Sequence, residues 1–88
     1  GLDIYNRVDI YPWDAAFGTK VVVETLSGRI KVSIPENVQG GKKIRVPNKG
    51  YRDMDGNTGD LYIVVNIVNP SSLTEKQKEL YRQLKETM

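Results

Sequence analysis

The chain has no cysteine and no histidine among its 88 residues. Without them there is no triad base, no thiol nucleophile and no Cys/His zinc site. No disulfide can staple the fold, so burial must hold it together. Carboxylate catalysis needs two groups in contrasting environments, yet Asp53 and Asp55 share one turn sequence. The chain is therefore expected to be no enzyme and to carry no cofactor or metal. Long apolar runs are also missing. None approaches the ~18 residues of a membrane-spanning helix. A dominant charge is missing too: thirteen basic residues face eleven acidic ones. Six basic residues meet five acidic up to Ile44, and seven meet six beyond it. The strong field of a general nucleic-acid binder is therefore not expected. There is no internal repeat. Gly1 opens directly into strand-like sequence without an initiator Met or signal peptide, which suggests a piece of a longer protein. Lack of cysteine is compatible with a reducing cytoplasm, the compartment expected here. The length suits one domain, which buries roughly 60% of its unfolded surface.

What the chain does hold is valine and isoleucine, seventeen together against six leucines. β-Branched side chains favour pleated sheet. Residues 3–11 alternate, with Ile4, Val8 and Ile10 on one face, interrupted by Asn6. The run 12–18 starts with Pro and ends with Gly, so it reads as one short helical turn. Trp13 and Phe17, four apart, are expected to cover one edge of the core. Residues 19–26 form the next strand, with Val21 and Val23 on one face and Val22 and Leu26 on the other. Ser27-Gly28 signals a hairpin turn. Ile30, Val32 and Ile34 then point inward, and Pro35 ends the strand. Residues 36–41 read as a loop. Ile44 and Val46 mark a short strand, and residues 48–59 read as a mobile loop. Residues 60–68 are apolar on both faces, as a central or clamped strand would be. Thr74 and Gln77 have capping-box spacing. Leu80, Tyr81, Leu84 and Met88 then form a narrow apolar stripe, opposite Lys78, Glu79, Arg82 and Glu86. Fourteen helical residues would span about 21 Å. Arg82 and Glu86 have i,i+4 spacing. Five strands followed by one helix describe a small β-sandwich or open barrel.

Three constellations carry chemistry. Asp53, Asp55 and Asn57 have the opening spacing of a calcium loop. Thr58 stands where that loop needs glycine and Val64 where it needs Glu, so a polar turn is the better reading. Lys42, Lys43, Arg45, Lys49 and Arg52 surround a glycine-rich stretch, but no G-x-x-x-x-G-K pattern is present. Nearby Asp53, Asp55 and Asp60 offset the charge. A small nucleic-acid-binding barrel and a purely structural docking domain remain the alternatives. The terminal stripe either folds back on its own sheet or faces a second copy, and periodicity leaves both open.

The order of short motifs resembles the C-terminal substrate-binding region of DnaJ-type co-chaperones of the heat-shock protein 40 family. The run 11–18 (Tyr-Pro-Trp-Asp-Ala-Ala-Phe-Gly) is similar to the family's Ala-Ala-Leu-Gly turn. The run 23–29 is similar to its Pro-Thr-Leu-Asp-Gly hairpin, with Glu24 where proline is common and Ser27 where aspartate is. Ile34-Pro35, Gln39-Gly40, Lys49-Gly50, Gly59-Asp60-Leu61 and the run 73–77 continue the pattern in order. The Pro-Trp-acid run looks most like the branch lacking the zinc region.

The resemblance implies the second of two tandem β-domains. That is a mainly β, two-layer sandwich of about five to six strands over residues 1–70, with one short helical turn. A C-terminal dimerisation helix over residues 71–88 would follow. The implied function is non-enzymatic. Such a module binds unfolded or hydrophobic client polypeptide, and the parent delivers it to an ATP-driven heat-shock chaperone. The implied peptide groove lies between the first two strands, at Asn6, Val8, Val21, Val23 and Thr25. Asn6 and Thr25 are polar where the first domain tends to be apolar, so a weaker grip is expected. The implied homodimer contact uses Leu73, Leu80, Tyr81, Leu84 and Met88.

Overall fold

A computed structural model describes all 88 residues. The chain runs β1 (Ile4–Ile10), α1 (Pro12–Phe17), β2 (Thr19–Thr25), β3 (Gly28–Ile34), β4 (Lys43–Val46), β5 (Leu61–Ile67) and α2 (Glu75–Glu86). Two sheets form, one ordered β1-β5-β4 and the other the β2-β3 hairpin. The fold is thus the expected mainly β, two-layer arrangement with a short helix and a terminal helix.

β5 is the central strand, and its double-sided apolarity follows from that place. It pairs parallel with β1, from Ile4 opposite Leu61 to Ile10 opposite Ile67. It pairs antiparallel with β4, from Lys43 opposite Val64 to Val46 opposite Leu61. Its inward residues Leu61, Ile63 and Val65 are all but sealed from water, Ile63 fully so. The hairpin lays Val32 and Ile34 over them. The core has two buried clusters, one around Ile10, Ile34, Val38 and Val65 and one around Val32, Leu61 and Ile63. Val8, Val21 and Ile44 pack against both and join them.

Several expectations change at the turns. The hairpin turns on Leu26-Ser27, not Ser27-Gly28, because Thr25 pairs with Gly28 across them. Gly28 has a φ of 121°, which only glycine accepts readily. Thr25 Oγ1 donates to the Gly28 carbonyl at 2.7 Å and accepts from the Ser27 N–H at 3.2 Å. The 36–41 loop also contributes to the core. Val38 is buried, and its N–H donates to the Ala15 carbonyl at 3.2 Å, tying the loop to α1. Phe17 does not cover the core: it is 80% exposed. Trp13 instead stacks on Tyr11, with ring centroids 5.0 Å apart.

The stretch 48–59 is organised by hydrogen bonds. The Gly50 N–H donates to Gly59 and the Gly59 N–H to Tyr51, at 3.0 and 2.9 Å. The Tyr51 N–H reaches the Leu2 carbonyl at 2.6 Å, and Arg52 bridges Thr58. The chain start therefore lies on Gly50 and Gly59. A Cβ on Gly59 would collide with the backbone of Leu2, and one on Gly50 with Leu2 and with Gly59 itself.

α2 covers twelve residues rather than fourteen, about 18 Å. Its capping box forms as expected, with the Gln77 N–H donating to Thr74 Oγ1 at 3.1 Å and the Thr74 N–H to Gln77 Oε1 at 2.9 Å. Arg82 pairs backward with Glu79 at 3.2 Å, not forward with Glu86. No residue of α2 is buried, and the molecule extends 57 × 22 × 17 Å. No helix is long and apolar enough to cross a membrane.

Backbone contact at the chain start makes Gly59 intolerant of a side chain. Gly59→Ala should lower unfolding stability in urea by about 1–3 kcal/mol, the usual cost of overpacking. Gly40→Ala, where a Cβ meets nothing within 4 Å, should be close to neutral in the same measurement.

Candidate functional site

Each sheet leaves an unpaired edge. β1 bonds only to β5, and β2 only to β3. The free edges of β1 and β2 flank a depression of about 270 Å³. Asn6, Arg7 and Val8 line it from β1, and Val22, Val23 and Glu24 from β2. Ile63 of β5 also lines it. Alternation places Val8 and Val23 there, Val22 reaches it from the open edge, and the charged residues bring polarity: Arg7 pairs with Asp9 at 3.3 Å, and Glu24 with Arg29 at 3.1 Å.

Of the five residues expected at a peptide groove, Asn6, Val8 and Val23 line this depression. Val21 lies in the core junction between the two clusters, and Thr25 is engaged in the hairpin turn. Arg7, Val22, Glu24 and Ile63 were missed. Ile63 is 55 positions beyond Val8, and only the β1–β5 register brings them together. Arg7, Val22 and Glu24 are neighbours of named residues. A strand edge, unlike a strand face, exposes both parities.

A second surface lies on α2. Leu73, Leu80, Tyr81 and Leu84 line a groove of about 190 Å³ together with Gln77 and Trp13. Leu80 and Leu84 are more than half exposed, and Met88 is 99% exposed beyond the helix end. Tyr81 turns its hydroxyl into protein, where it is buried without a hydrogen-bond partner. Trp13 was assigned to the core edge by its spacing from Phe17, and nothing local in the sequence points it at α2.

The basic stretch separates in space. Arg45 donates through Nε to Asp60 at 2.6 Å. Lys43 sits 5.6 Å from the centroid of the Tyr5 ring. Lys49 and Arg52 lie at the other side of the turn region, around a hollow shared with Leu26 and Ser27. Asp60 also accepts from the Asn48 N–H at 3.0 Å. This backbone donor, then Arg45, holds its carboxyl below the ordinary range, and the same contact raises Arg45. Asp53 is likewise lowered, first by the Asn57 side-chain amide and then by backbone N–H groups of the turn. Its oxygens accept from Asn57 and Asp55 at 2.9–3.0 Å. The Asp-rich sequence thus builds a turn around Asp53.

The chain is thus a mainly β sandwich with an open edge and a terminal helix, and comparison with known proteins gives the class as a DnaJ family chaperone domain. The model of the DnaJ C-terminal domain matches residues 1–70, and the chain belongs to that family. The chain is 40% identical to a curved DNA-binding protein of Pseudomonas putida over 98% of its own length and 27% of the relative's. It is 38% identical to a curved DNA-binding protein of Coxiella burnetii over all of its length and 28% of the relative's. It is also 38% identical to the chaperone protein DnaJ of Staphylococcus carnosus, over 98% of its length and 23% of the relative's. The chain therefore spans about a quarter of the length of these relatives.

The two lowered carboxyls make stability depend on acid. Both bind fewer protons folded than unfolded, so their contribution is complete above the unfolded value near ~4. It is lost as pH falls through the lower folded values. Thermal melts should show a decline below about pH 4 that is shallower in Asp53→Asn and Asp60→Asn, each less stable than the parent at neutral pH.

Proposed function

We propose that this domain is a non-enzymatic client-binding and dimerisation module of a DnaJ-type co-chaperone. The observation that carries this reading is the pair of unpaired edges, β1 and β2, flanking one depression. An extended polypeptide adds there as a strand. Main-chain hydrogen bonds give affinity regardless of sequence, and shallow pockets select side chains weakly. Val8, Val22 and Val23 supply the apolar contact, above a floor closed by the buried Ile63. Asn6, Arg7 and Glu24 keep the site polar at its rim, which supports a loose grip suited to release. Val21 and Thr25 support the site from behind, one through packing and one through the turn.

The α2 surface supports dimerisation. Leu73, Leu80, Tyr81, Leu84 and Met88 form the contact, with Trp13 beside them. Burying a large apolar side chain contributes about 1.5–3 kcal/mol, so closing this stripe against a partner copy outweighs leaving it wet. Two linked arms then hold one client with higher avidity than either alone. Passage of that client to an ATP-driven heat-shock chaperone belongs to the parent protein, as does the cytoplasmic setting. Both rest on the family resemblance.

A second reading has its own support. Two of the relatives above are curved DNA-binding proteins, and each matches nearly the whole chain. Contact with DNA is therefore a second activity to test for this domain.

Titration with an apolar peptide should shift the amide resonances of Val8, Val22 and Val23, and Val23→Asp should weaken binding at least tenfold. Unmoved spectra would end the client reading. Light scattering should give a dimer at high micromolar concentration and a monomer for Leu84→Asp. A parent that is already monomeric would end the dimer reading.

A further inference from the structure

The outward face of the three-stranded sheet shares nothing with the α2 groove and meets the client depression only at Arg7, on the edge of β1. Sheet register places Tyr5, Tyr62 and Arg45 in one row across it. The next row holds Arg7, Val64 and Lys43. Tyr5 and Tyr62 stack with centroids 5.0 Å apart and planes 15° from parallel. Tyr5, Arg7, Lys43 and Arg45 are exposed. The cations therefore surround an aromatic pair on an open sheet.

Both arginines face a carboxylate through Nε, Arg45 by a hydrogen bond and Arg7 by a longer ion pair. Arg7 meets Asp9 through Nε at 3.3 Å, and Arg45 meets Asp60 through Nε at 2.6 Å. A guanidinium has five donors in a rigid fork. At Arg45 the Nε hydrogen bond orients the fork while the terminal amino groups remain unengaged. Lys43 has no carboxylate partner and lies against the Tyr5 ring. The facing acids are accounted for. Asp9 also accepts from Asn66 at 2.9 Å, Asp60 is mostly covered, and Asp3 accepts from the Asp60 N–H at 2.7 Å. They sit at the two ends of the strands, and the centre of the face is cationic.

Spacing indicates the class of anion. Arg7 and Lys43 are two strands apart, about 10 Å, and Arg45 lies about 7 Å along β4 from Lys43. A single carboxylate cannot bridge such distances. A duplex carries a charge every ~1.7 Å of its axis and bridges them readily. We propose that this face binds the phosphate backbone of DNA through Arg7, Lys43 and Arg45, with Tyr5 beside the sugars. The inference rests on the second reading above and gives it a surface. It also separates that surface from the sequence cluster: Arg7 joins from β1, while Lys49 and Arg52 are left out.

The test uses the 88-residue chain and a fluorescein-labelled duplex of about 20 base pairs, read by anisotropy between about 50 and 200 mM salt. The chain should bind with a steep salt dependence. Lys43→Gln should weaken binding across unrelated sequences and reduce the salt slope by about one. Adding Arg7→Gln should weaken it further, with the circular dichroism of both variants unchanged. Lys85→Glu, a larger charge change on α2, should stay within about twofold of the parent by the same phosphate-contact argument. Failure of the parent to bind any duplex would overturn this inference and the second reading together. Binding that survives Arg7→Gln/Lys43→Gln but falls with Lys49→Glu/Arg52→Glu would overturn this inference alone. Equal displacement by polyglutamate would also overturn it, in favour of an acidic polypeptide.

Discussion

The parallel pairing of β1 with β5 is the constraint on which the rest of the domain depends. It joins the first strand to the last over seven residue pairs. It sets β5 in the middle, so that Leu61, Ile63 and Val65 are covered by the hairpin on one side of their sheet. It also brings the chain start against the turn region, where Gly50 and Gly59 admit the Leu2 backbone. A sheet built this way has only one partner for β1. The free edge of β1, and hence the depression it shares with β2, follows from the order in which the strands are laid down.

Strands and caps were legible where the signal was local. The alternation of Ile30, Val32 and Ile34, the double-sided apolarity of β5 and the Thr74–Gln77 box each depend on residues a few positions apart, and each stands in the fold. Most of what failed depended on contacts between distant segments, the one-residue shift of the hairpin turn and the Arg82–Glu79 pair being local. Val38 looks like any loop valine until α1 offers it a backbone bond. Phe17 shares a helical face with Trp13 in sequence, yet the short helix α1 turns Ala15 to the core and buries neither aromatic. Stretch 48–59 reads as mobile because Gly, Asn and Asp mark loops, whereas what orders it, the bonds to Asp53 and the backbone of the chain start, shows only in the fold. The candidate site divides along the same line. Asn6, Val8 and Val23 could be named from a family pattern, whereas Ile63 and Trp13 required the topology.

Three surfaces divide the work among different forces. The β1/β2 depression offers unpaired backbone groups beside a few valines. The α2 stripe offers area and little polarity. The outward sheet face offers oriented charge. The α2 stripe shares no residue with the other two, and those two share only Arg7, at the edge of β1. A chain lacking histidine, cysteine and any dominant charge therefore still presents three distinct kinds of contact.

The β1–β5 ladder also bears on how the domain is made. Each of its pairs joins residues 57 positions apart, as does the Asp9–Asn66 bond. Closing a loop of that length is slow compared with closing a hairpin. During synthesis β2 and β3 meet as soon as both have emerged, but β1 has no strand partner until residue 67 is out. For most of its own translation, Ile4, Val8 and Ile10 stand uncovered on a strand without a sheet. On the proposed function, the nascent domain is for that interval an unfolded polypeptide of the kind its finished fold would hold.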